Sequence, residues 1–171
     1  MLKRFNHSPR IVIAGFCVGI MIAIGIYLLL YPTHFSESAA EAHHLGVSPS
    51  AYITAKQLWK EHCQLGKPLS DSDFQSAVNL TRYHNSHHNG WSIRVRAVEA
   101  LAAAAGTHNS AAATTVAQGL MSDPNGIVRQ RALGTLWHLN PTQGRQDALK
   151  SLHDPNQYVR RIAHLLLDPS H

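Results

Sequence analysis

The stretch Asp123–Leu136, DPNGIVRQRALGTL, is answered 31 residues later by Asp154–Leu167, DPNQYVRRIAHLLL. Each runs Asp-Pro-Asn, two further residues, an apolar residue with Arg, then Ala and Leu at fixed offsets. Behind each start one helix face repeats: Val128, Ala132 and Leu136, then Val159, Ala163 and Leu167. A looser copy, WSIRVRAVEAL at Trp91–Leu101, places Ile93, Arg94, Ala97 and Leu101 at the same offsets, 35 residues before the middle copy. Asp123 and Asp154 are expected to accept the free N–H groups of helix starts, with Pro124 and Pro155 just inside, where a missing N–H costs nothing. The small alanines let a neighbouring helix approach closely. The repeated phrase describes construction rather than chemistry.

Outward from these copies, the apolar spacing stays helical from Ser50 onward and never alternates for the length of a strand. Ala51, Tyr52, Ala55, Leu58 and Trp59 form one stripe, and Phe74, Ala77, Val78 and Thr81 the next. Ala113, Val116, Ala117, Leu120 and Met121 follow the same rhythm, and Ala148, Leu149 and Leu152 give a shorter version. Breaks fall at 66–71 (GKPLSD), 85–90 (NSHHNG), 106–110 (GTHNS), 123–126 (DPNG), 140–144 (NPTQG) and 154–156 (DPN). The expectation is an all-α body of about eight helices, in which each repeated second helix follows an amphipathic first helix. A period near one helical hairpin is the pattern of an α-solenoid.

The two Asp-Pro-Asn copies and the Val-Arg-x-x-Ala core resemble the second helices of HEAT repeats, especially the short subtype named after the phycobilisome lyases. The resemblance covers residues 70–169, with second helices near 91–105, 126–139 and 157–168. It implies a polar ladder of Asp and Arg along the stack, assigning Arg94, Asp123, Arg129, Asp154 and Arg160 to structure. His88 stands at the aspartate position of the first copy, which suits a capping repeat with helix 50–65 packed outside it.

Ahead of the body, Ile11–Tyr31 (IVIAGFCVGIMIAIGIYLLLY) contains no charged residue. As a helix it would be about 31 Å long, close to the roughly 30 Å of bilayer hydrocarbon. Lys3, Arg4 and Arg10 precede it, Glu37 and Glu41 follow it, and Tyr27 and Tyr31 mark one end. The expected organisation is a basic cytoplasmic segment 1–10, a single-pass transmembrane anchor 11–31, a tether 32–49 and the solenoid 50–171. The positive-inside bias places the body on the exoplasmic side, periplasmic or extracellular. A signal peptide cut before His43 is the alternative, disfavoured by the length of the run. Gly15 and Gly19 form a G-x-x-x-G, which in a single anchor is a weak association signal.

The formal net charge of +5 loses three cations with the N-terminal segment, leaving twelve basic against ten acidic residues. So even a body lacks the concentrated basic face that nucleic acid requires, and no nucleic-acid partner is expected. The two cysteines, Cys17 and Cys63, exclude a disulfide framework or C-x-x-C site in the body. Cys63 reads as a half-buried packing residue, with a reactive thiol as the alternative. His84, His87 and His88 have metal-compatible helical spacing, but Asn85, Ser86, Asn89 and Gly90 make the segment a turn, so a solvated loop is expected. His62 beside Cys63 lacks a third orienting group. Trp91 and Trp137 read as core. Asn79-Leu80-Thr81 fits the glycosylation pattern, although it lies mid-helix. No catalytic set, cofactor site or metal site is expected.

Three functions fit this pattern. The first is a membrane-anchored scaffold or adaptor that holds another membrane or exported protein. The second is a small accessory subunit of a larger membrane complex, and the third a HEAT-type lyase, for which no catalytic residues appear. For the scaffold, the candidate partner-binding side chains escape the core stripe of the second helices: Arg96, Glu99, Gln130, Arg131, Thr135, His138, Arg161 and His164.

Overall fold

A computed structural model describes residues 32–84 and 90–168, with side chains from Glu37. The expected span 11–31 lies outside the described residues, as do His87 and His88. Among the described residues no helix is long and apolar enough to cross a membrane. The described residues from Ala39 onward belong to one compact unit.

Eight α-helices and no strand occur among the described residues: α1 Pro32–His44, α2 Pro49–Trp59, α3 Asp71–Thr81, α4 Trp91–Leu101, α5 Ser110–Gly119, α6 Gly126–Leu139, α7 Pro141–Ser151 and α8 Gln157–Leu167. Seven of them, rather than about eight, begin from Pro49 onward. A π-turn, Lys60–Gln64, extends α2, and 3₁₀ turns follow α4 (Ala102–Ala104) and α5 (Leu120–Ser122). The helices pair as hairpins in a solenoid-like arrangement. First helices α3, α5 and α7 pack on second helices α4, α6 and α8, while the second helices also pack on one another in order, with α2 against α4.

Small residues occupy the junctions, as the repeat requires. Ala132 is fully buried with Val98, Ala117 and Leu136. Ala163 is equally buried between Leu133 and Ala148. Leu58, Phe74 and Leu101 fill the earlier hairpin. Leu149 departs from its expected stripe and is exposed.

The expected polar ladder is present. Arg94 donates through Nε and Nη2 to the two carboxylate oxygens of Asp123, at 2.8 and 3.1 Å. Arg129 does the same to Asp154, at 2.9 and 2.7 Å. This overturns the capping role given to the aspartates. The caps are Asn125 and Asn156, whose side-chain oxygens accept from the Ile127 and Tyr158 N–H groups, each at 2.9 Å. Each aspartate instead turns the loop by accepting from the asparagine N–H two residues on, at 2.8 Å. Pro124 and Pro155 consequently precede their helices rather than open them.

Two loop assignments also change. Residues 32–49 are largely helical rather than a plain tether: α1 spans Pro32–His44, and Ala42 and Val47 are buried against Tyr52, Ala55 and Ile93. The break at 140–144 is a single residue. Asn140 ends α6 through its N–H to the Leu136 carbonyl (2.8 Å) and caps α7 by accepting the Gln143 N–H (3.1 Å). Gly144 lies inside α7, where an added Cβ would meet the Trp137 backbone at 2.5 Å from Cα. Gly106, by contrast, is a true turn glycine with φ 73°.

Candidate interaction groove

Apolar side chains of α4 and α6 that face the core leave the next positions around each helix on the opposite side, one repeat above another. Arg96 and Arg131 share one such position, as do Glu99 and Gly134, and the stack brings them together. Two adjoining hollows result. One of about 530 Å³ is lined by Tyr52 and Trp59 of α2, Trp91, Val95 and Arg96 of α4, and Ile127 of α6. The other, of about 210 Å³, is lined by Ala102, Gln130, Gly134, Thr135 and Ile162. Both include Glu99 and Arg131, whose ion pair (Oε1 to Nε, 3.2 Å) forms their common wall.

Arg96 is held rather than free. Its guanidinium stacks 4.9 Å from the Tyr52 ring centroid, with Nη1 donating to the Ser92 carbonyl (3.1 Å) and Nη2 to the Tyr52 hydroxyl (3.2 Å). Burial, and then the hydrogen bond to Glu41, push Tyr52 up to about 12. That same bond, with a second from Lys56 (3.0 Å), holds the Glu41 carboxyl below its ordinary range. The acids of the larger hollow are thus engaged by neighbours, while the Arg131 side chain stays half exposed. Gly134 gives the smaller hollow an open floor, since a Cβ there meets nothing within 4 Å.

Of the expected partner-binding residues, the groove gathers Arg96, Glu99, Gln130, Arg131 and Thr135. Thr135 is buried, however, and its hydroxyl donates to the Val98 carbonyl at 3.1 Å, tying α6 to α4. His138, Arg161 and His164 are exposed outside both hollows. The sequence reading missed Tyr52, Trp59, Ile127, Gly134 and Ile162. It also assigned Trp91 to the core, whereas Trp91 is half-buried in the groove wall and Trp137 is likewise half-buried.

Cys63 is an exposed residue whose thiol is nevertheless partly covered. Partial burial of its thiol, reinforced by the Glu99 carboxylate, pushes it up to about 11, which keeps it protonated and a weak nucleophile at neutral pH. His62 is buried, with Nδ1 2.9 Å from the Lys67 carbonyl and Nε2 3.6 Å from the Asp73 carboxylate. His84 is exposed. Among the described residues no group of three or more His, Cys, Asp or Glu is placed to hold a metal.

No protein-family model, curated protein or solved structure matches this chain.

Proposed function

We propose that this chain is a membrane-anchored adaptor of HEAT-repeat type. In this reading residues 11–31 form a single-pass anchor, and the groove along α4 and α6 holds an extended segment of another membrane or exported protein. The observation that supports it is the groove itself: mostly apolar hollows, edged by arginines and floored at Gly134. An apolar groove edged by charged side chains is the kind of surface into which a partner segment lays its apolar face. An anchor raises the effective concentration of that face for partners held in the same membrane, so a modest interface suffices.

The floor glycine supplies the test. Gly134→Trp fills the smaller hollow from a position where added atoms have room, so helical content should be retained. A photo-crosslinking residue at Gln130 should capture a protein in intact membranes, and Gly134→Trp should abolish the capture. The same crosslinker at Ala112, exposed on α5, serves as control. Equal capture from Ala112, or capture indifferent to Gly134→Trp, would remove the groove from the proposal. The orientation has its own test: protease added to intact spheroplasts or cells should remove the body, and digestion only after lysis would reverse it.

A further inference from the structure

The ladder contains a third arginine, and it is built like Arg129, whereas Arg94 donates its Nη1 to the Tyr83 carbonyl (2.9 Å). Arg129 anchors itself to its own loop by donating Nη1 to the carbonyls of Asp123 (2.7 Å) and Pro124 (3.3 Å), which aims its Nε–Nη2 edge at Asp154. Arg160 makes the same anchor, Nη1 donating to the carbonyls of Asp154 (2.7 Å) and Pro155 (3.0 Å). Its Nε and Nη2 reach no carboxylate among the described residues. The edge is therefore oriented, with much of the side-chain entropy cost of a bidentate pair already met by the anchor.

We propose that the Nε–Nη2 edge of Arg160 is a docking point for another protein, which presents an aspartate carboxylate from the turn that starts a helix. The occupant is argued from charge and shape together. The two filled edges each take both oxygens of an Asp held in an Asp-Pro-Asn turn, and the third repeats the fork with no carboxylate on it among the described residues. The surroundings agree, because α8 also exposes Tyr158 and Leu165, two turns apart on one side of the helix. Such a contact sets a hairpin of the partner against α8.

The probe is a synthetic peptide of residues 140–168 of this chain, the hairpin that presents Asp154 to Arg129. Added to the full chain in detergent micelles, it should move the Arg160 Hε resonance in ¹H–¹⁵N spectra and leave that of Arg129 in place. An Asp154→Asn peptide should bind at least tenfold more weakly, and Arg160→Lys in the protein should weaken binding similarly. Since a free hairpin folds poorly, the same unit is also joined in cis by following Asp168 with a second copy of residues 138–168. There the added aspartate should raise the thermal midpoint relative to asparagine, and Arg160→Gln should erase the difference. Equal midpoints for aspartate and asparagine in cis, with an unmoved Arg160 resonance, would overturn the proposal. So would an equal shift from inorganic phosphate at the peptide concentration. Arg160-dependent self-association of the chain would place a second copy there instead, overturning the choice of a different protein.

Discussion

Arg94 and Asp123 form a two-pronged ion pair across 29 residues of sequence, with side chains only 7% and 4% exposed. Arg129 and Asp154 repeat it one repeat later with both side chains 12% exposed. Removing one member of the deeper pair strands a charge away from water. Asp123→Ala should cost about 3–5 kcal/mol in denaturant unfolding. Asp154→Ala should cost less, and the double change Arg94→Leu with Asp123→Leu should recover most of the loss. Equal losses at the two aspartates would contradict the burial difference.

The shallower pair also gives the stack an acid limit. The hydrogen bonds from Arg129 hold the Asp154 carboxyl below its ordinary value, outweighing burial, which raises it. A depressed folded-state value means that the pair stabilises the fold above the ordinary carboxylate range, and that this stability disappears as pH falls through the lowered value. Unfolding midpoints should therefore drop below about pH 4, and an Asp154→Asn variant should lose that part of the acid dependence. An unchanged acid profile in the variant would show that other carboxylates set the limit.

Two glycines in neighbouring helices should respond oppositely. Gly144→Ala drives a methyl into the Trp137 backbone, which cannot swing aside as a side chain can, and should destabilise by about 1–3 kcal/mol. Gly134→Ala meets open space and should stabilise by about 0.5–1 kcal/mol through restored helix propensity. Thermal unfolding of the two variants side by side decides the matter.

Ala132 tests the repeat register. It is fully buried where α4, α5 and α6 meet, so Ala132→Leu should cost about 1–3 kcal/mol by overpacking. An unchanged unfolding midpoint would show that the junction has slack the packing denies.

Cys63 should behave as a reluctant nucleophile despite its exposure. In a Cys17→Ser background, alkylation by iodoacetamide at pH 7.5 should be slow and should accelerate with each unit of rising pH through 10. Glu99→Gln removes the secondary cause of the raised value and should speed the reaction at fixed pH.

The regular part of the body was legible in the sequence because one helix face has to repeat where hairpins stack, and Arg94, Arg129 and Arg160 mark its period. The capping assignment went astray at Asp123 and Asn125 for a physical reason. Either side chain can accept helix-start N–H groups, and only the distant Arg94 decides that the aspartate is otherwise engaged. α1 was missed because its Ser, Ala and His composition shows little amphipathic contrast, and its order in 39–44 comes from docking Ala42 beside Tyr52. In the groove, Arg96, Glu99, Gln130 and Arg131 followed from their offset to the core stripe. Tyr52 and Trp59 did not, since a helix's periodicity says which side is buried and not which other helix it will face. Thr135 looked like a surface hydroxyl because its acceptor, the Val98 carbonyl, is 37 residues away.

Asn140 closes one helix and opens the next, and this has a consequence for how the chain tolerates changes of length. The α6–α7 elbow has no slack: one inserted residue must either break the bond from its N–H to Leu136 or rotate α7 by about 100° and turn Gly144 away from Trp137. The connection at Gly106–Asn109 is the opposite case, a bend with Gly106 and His108 exposed and already opened by a left-handed glycine. Extra residues there lengthen a loop at small entropic cost and leave the flanking helices in register. Insertions and tags should therefore be accepted between α4 and α5, where one hairpin passes to the next, and rejected at the elbow, which makes the first site the place to attach a reporter to the working protein.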